Sequence, residues 1–201
     1  MGMARAFQDA VSRGAAVPYF MTLTFDRYDD RYLISSADGT TPSKEQVRAG
    51  LTRQMPPAAA LDRRHADIRR FYIRLNRQLF GRGHAANADQ PRGLGWLDRP
   101  FFKNASKRPP FARQPGDVFD HSHIALIVPT SKRLGREASV HERFEELCSS
   151  GALSQIWRRF NKEGEVHVDT MWDPYGALDY SAKTAKREDR FHDWMIILPC
   201  K

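Results

Sequence analysis

The chain has 201 residues, with 32 Lys and Arg against 24 Asp and Glu and a formal net charge of +8, and its sequence pI is near 9.8. This length suits one domain with a real core, and the cation excess favours a polyanionic partner, nucleic acid above all, over an acidic one. Cys148 and Cys200 are the only cysteines, which argues against a disulfide framework or cysteine zinc knuckle and for a reducing cytoplasm; no apolar run has the length of a membrane span.

Val17 to Phe25 alternates aromatic, β-branched and apolar residues as a strand does, with Phe20, Thr22 and Thr24 on one face and Met21, Leu23 and Phe25 on the other. Met55-Pro56-Pro57 breaks the chain before a helix over Leu61–Phe80. Its apolar positions are Leu61, Ile68, Phe71, Tyr72, Leu75, Leu79 and Phe80, and Gly81 is its expected stop. The opposite side carries Arg63, Arg64, Arg70, Arg74 and Arg77, a face for solvent or for DNA. Residues 81–116 are rich in Gly and Pro; from Arg99 to Gly116 there are five basic residues, including Lys103, Lys107 and Arg108, no acids, and Phe101, Phe102 and Phe111. Such interleaving suits a flexible nucleic-acid strand, and suits a disordered insertion equally.

His121-Ser122-His123 then leads into the apolar run Ile124 to Val128. In a strand the two imidazoles share a face, and together they form an edge able to ligate a metal. Helical patterns follow at Val140–Cys148 and Leu153–Phe160, a strand at Glu165–Met171, a helix opened by Asp173-Pro174, and a closing strand at Trp194–Leu198. Glu165, His167 and Asp169 share one face of their strand and read as its solvated side. The alternation of strands and helices specifies an α+β sandwich: a central, mostly antiparallel sheet with helices packed on it. The expected organisation is a single domain over residues 1–201, with basic loop insertions at about 36–60 and 81–117.

The helix from Pro174 aligns Gly176, Tyr180, Lys183 and Arg187 near one face. A phenol, with a free pKa of about 10, becomes a nucleophile when a cation stabilises its phenolate. Lys183 is placed to do that, or to steady a phosphate under attack. Gly176 leaves room for a backbone to approach.

Together these segments resemble the HUH endonucleases, the rolling-circle replication initiators and their relatives. Phe20 to Phe25 looks like the family's first motif, His121-Ser122-His123 its metal-binding second, and Tyr180-Ser181-Ala182-Lys183, followed by Lys186 and Arg187, its Tyr-x-x-Lys third. The order is the family's, and Phe71 to Gly81 resembles the intervening helix of bacterial and filamentous-phage-type initiators. The resemblance implies a divalent metal, Mn²⁺ or Mg²⁺, held by His121 and His123, with Tyr180 attacking single-stranded or hairpin DNA to leave a 5′-phosphotyrosyl link and a free 3′-hydroxyl. Thr22, Thr24, Arg74, Arg77, Lys103, Lys107, Arg108, Lys186 and Arg187 are the expected DNA contacts.

The chain departs from the family pattern at the third metal ligand, often a Glu before the His pair. Asp117 is the expected substitute, because Asp120 alternates away from the imidazoles. Thr184 stands where two-tyrosine members have their second tyrosine, so a single nick and transfer is expected. There is no P-loop and no helicase domain, so a host helicase would supply unwinding. The protein is expected to be cytoplasmic, and a monomer or weak oligomer. A single-tyrosine transposase, or a non-catalytic single-strand binder on the same sheet, are the competing readings.

Overall fold

A computed structural model describes residues 5, 9, 11–25, 57–81, 89–98, 121–132, 137–187, 192, 193 and 195–199. In chain order these include β1 (Ala16–Thr24), α1 (Pro57–Phe80), β2 (Arg92–Asp98), β3 (His121–Pro129), α2 (Val140–Ser149), α3 (Ala152–Trp157), β4 (Val166–Thr170), α4 (Pro174–Arg187) and β5 (Met195–Leu198). The strands form one sheet in the order β4-β1-β3-β2-β5, with every neighbouring pair antiparallel. The chain therefore has the expected α+β fold.

Register separates the two faces. Tyr19, Met21 and Leu23 of β1 lie opposite Leu126, Ile124 and Ser122 of β3. With Val128, Leu97, Ile196 and Leu198, these apolar residues pack into one core with α1, α2 and α3. Tyr19 meets Phe144 of α2 at 4.9 Å between ring centroids, and Trp157 of α3 lies edge-on to both Phe25 and Phe71 of α1. The indole of Trp157 also donates to the Thr24 carbonyl at 2.6 Å, tying the end of β1 to the helical layer.

Helix starts and stops follow local chemistry. Pro57 begins α1, where its missing N–H is no loss, and Gly81 ends it with φ +79° and an N–H donated to Arg77 O. Ser139 caps α2 in a capping box with Glu142. The hydrogen bond from the Ser139 backbone holds the Glu142 carboxyl below its ordinary range. One arginine assigned to the solvated side of α1 lies inside: Arg64 is buried, donates to Asn161 Oδ1 at 2.9 Å and sits 4.2 Å above the Phe25 ring.

The other sheet face carries Phe20, Thr22 and Thr24 opposite Ala125, His123 and His121. Helix α4 covers part of it, where Ala177 and Leu178 pack with Ala16, Ala125, Ile127 and Met171. The polar remainder is where the site forms.

β2 is a correction to the reading of residues 81–117 as an irregular insertion. Gly93 and Gly95 lower strand propensity, yet packing requires them. A Cβ on Gly95 would stand 2.1 Å from the His123 carbonyl oxygen and 2.7 Å from Ile124 Cα, and one on Gly93 would stand 3.0 Å from Ile124 Cγ2. The remaining residues of both expected insertions, apart from 57–60, 81 and 89–98, lie outside the described residues.

Because the obstruction at Gly95 is backbone, Gly95→Ala should separate β2 from β3. Urea denaturation should report a loss of about 1–3 kcal/mol.

Candidate metal centre and nucleophile

Two rows of residues run across the sheet. Thr24, His121 and Asp98 form one, and Thr22, His123 and Trp96 the next. Residues directly opposite in an antiparallel pair have their side chains on the same face, so Asp98 lies beside both imidazoles. Asp98 Oδ2 is 3.2 Å from His121 Nε2 and 3.8 Å from His123 Nε2. The two rings are 4.6 Å apart at 68°. One ligand atom from each of the three residues lies within 4.8 Å of the others, and among the described residues no other group of three His, Cys, Asp or Glu does so.

The donor set fits a divalent cation. Asp98 is only 2% exposed, and a carboxylate at that depth calls for a compensating positive charge. Two imidazoles and one carboxylate suit borderline and hard divalent ions alike. Thr22 Oγ1 is 3.0 Å from His123 Nδ1. Were Nε2 to ligate a cation, Nδ1 would carry the proton and donate to this hydroxyl, which would hold the ring in its ligating tautomer. Phe20 stacks on the same ring at 5.2 Å and 24°.

Above this floor stands Tyr180. Its ring is 5.2 Å from that of His123 and 6.0 Å from that of Phe20, yet the residue is 49% exposed. Lys183 Nζ sits 3.8 Å from the centre of the Tyr180 ring. The helix is set by Asp173, whose Oδ1 accepts from Tyr175 N at 3.1 Å and Gly176 N at 3.0 Å. Gly176 therefore has a different use from the one expected. A Cβ there would lie 2.3 Å from Asp173 Oδ2, so its open side is filled by the capping carboxylate.

Three other candidate nucleophiles, Tyr19, Tyr72 and Cys148, are disarmed. Burial and a hydrogen bond to Glu145 raise the Tyr19 phenol well above the usual range, and Tyr72 donates to the Pro91 carbonyl. Burial, then Glu145, pushes the Cys148 thiol up to about 12.

The other expected site residues fall in separate places. Thr24 Oγ1 accepts from Glu165 N at 2.8 Å, joining β1 to the start of β4. Lys186 pairs with Asp179 one face over from Tyr180, and Arg187 ends α4. Arg74 lies over the Phe160 ring at 5.5 Å, and Arg77 is exposed in the last turn of α1, on the helical layer opposite the triad. Glu165 and His167 pair at 3.3 Å as an exposed couple, in keeping with a solvated face. Lys103, Lys107, Arg108, Asp117 and Asp120 lie outside the described residues. The carboxylate that joins the histidines is Asp98. Its signal was the alternation Leu94, Trp96, Asp98, masked by Gly93 before it and Gly95 within it.

No protein-family model matches the chain, and no curated protein and no solved structure is significantly similar to it. Among the described residues no helix is long and apolar enough to cross a membrane.

Saturating Mn²⁺, at about 100 times its dissociation constant, should raise stability by about 2.7 kcal/mol in thermal melts. Asp98→Asn should abolish that shift. Thr22→Val keeps every ligand but frees the His123 ring, and calorimetry should show affinity lowered by about tenfold.

Proposed function

We propose that the protein is a metal-dependent, single-tyrosine DNA nicking and strand-transfer enzyme of the HUH rolling-circle initiator type. The observation that carries this reading is the solvent-accessible Tyr180 standing 5.2 Å, ring to ring, from a histidine of the Asp98–His121–His123 group. The motif order in the sequence supports it, as does the net charge of +8.

Asp98, His121 and His123 would hold the cation, Mn²⁺ or Mg²⁺. When bound, the cation supplies a Lewis acid that offsets charge on the scissile phosphate. Tyr180 Oη forms a bond to phosphorus while the bond from phosphorus to the 3′ oxygen breaks. The phenol loses its proton to solvent and the departing oxygen gains one, leaving a free 3′-hydroxyl and a 5′-phosphotyrosyl ester. Lys183, held over the ring, places an ammonium where negative charge develops. A phosphodiester is exchanged for a phosphodiester, so strand rejoining by an incoming 3′-hydroxyl needs no nucleotide energy source.

On this reading the substrate is single-stranded or hairpin DNA. The protein acts in the cytoplasm as a replication initiator, with duplex unwinding left to a host helicase. Asp98 would supply the third ligand, the position that the HUH family often fills with a Glu.

Incubation with pooled single-stranded oligonucleotides and Mn²⁺, followed by denaturing electrophoresis, should yield a slower protein band. Chelator, Tyr180→Phe and Asp98→Asn should each remove it. Salt-sensitive DNA binding that persists in chelator without any adduct would instead establish a non-catalytic binding protein.

A further inference from the structure

Trp172 is 92% exposed, although it sits in the short turn between β4 and α4 and is bracketed by anchored residues. On one side Met171 is buried and its N–H donates to Pro18 O at 2.9 Å. On the other, Asp173 caps α4 through Tyr175 N and Gly176 N. Trp172 precedes the cap, a position from which an apolar side chain commonly folds back onto the first helical turn. Here the indole stays in water and none of its contacts bury it. Tyr175 is 54% and Tyr180 49% exposed, so three of the five exposed large apolar side chains among the described residues fall within 172–180. Exposed Lys183 and Lys186 lie on the same helix.

We propose that exposed Trp172, with exposed Tyr175 three residues further along the chain, is a stacking subsite for an unpaired nucleobase near the scissile phosphate. This inference rests on the single-strand DNA reading above. An aromatic face held out by a rigid backbone suits a flat base, because stacking is sequence-tolerant, and exposed Lys183, further along the same helix over the Tyr180 ring, offers a cation to the strand's phosphates. Pro174 to Tyr180 spans about 9 Å of helix axis, a short stretch of single strand. A base lodged on Trp172 sets the register of the strand and so determines which phosphate reaches Tyr180.

The test compares oligothymidylate with an abasic phosphodiester of the same length, at one fixed salt concentration and with Mn²⁺, by fluorescence anisotropy. Trp172→Ala should weaken oligothymidylate binding by about tenfold, leave the abasic polymer's affinity unchanged, and scatter the position of nicking in the best substrate. Trp172→Phe should restore most of the loss, and thermal melts should coincide with wild type because the indole is not part of the core. Equal affinities of wild type and Trp172→Ala for oligothymidylate would overturn the subsite while the Tyr180 adduct leaves the nicking reading standing. An equal loss on both polymers would overturn it too, as would dissociation of a wild-type dimer by Trp172→Ala without effect on DNA. Failure of wild type to bind either polymer or form the adduct would defeat the nicking reading, and the subsite with it.

Discussion

The close approach of β2 to β3 is the constraint on which the site depends. A side chain at Gly95 would collide with the main chain of His123 and Ile124, so only glycine allows β2 to lie in this position. Three residues later the same strand delivers Asp98 opposite His121. The sheet thus brings the carboxylate to the imidazoles by backbone pairing, with no flexible loop involved. Rigid placement of ligands is what a small metal site needs, since errors of half an ångström weaken it.

Two layers share the work across this sheet. The face of Met21, Leu23, Ile124 and Leu126 is sealed by three helices, and the hydrophobic stabilisation of the fold is concentrated there. That leaves the opposite face free to bury polar groups where only α4 covers it. Ala125 and Ala177 are small, so α4 lies near the strands and Tyr180 reaches the His123 ring. Thr22 joins the two functions: as a β1 residue it is part of the sheet, and its hydroxyl orients a ligand of the candidate metal centre.

Much of this arrangement is legible in the sequence because it follows local periodicity. The His121/His123 face comes from two-residue alternation, the α1 core stripe from helical spacing, and the Asp173-Pro174 start of α4 from capping chemistry. What escapes depends on long-range packing. Gly93 and Gly95 look like loop residues until the neighbouring strand is seen, which hides β2 and with it Asp98. Arg64 looks like one more surface cation, and only the fold brings Asn161 and Phe25 to it. Gly176 reads as room for an approaching backbone, whereas its space is taken by a carboxylate three residues upstream.

The order of strands has a consequence for folding during synthesis. β1 is made early but lies between β3 and β4, and its partners are far along the chain: Thr22 meets His123 across 101 residues and Thr24 meets Glu165 across 141. Loop closure on that scale slows the search for native pairing. The aromatic, apolar strand Ala16–Thr24 therefore emerges from the ribosome with neither edge paired, a segment for which chaperones compete with aggregation. Tyr180 can join the Asp98–His121–His123 group only once the chain beyond β4 has been made, so a product truncated before α4 lacks that assembly.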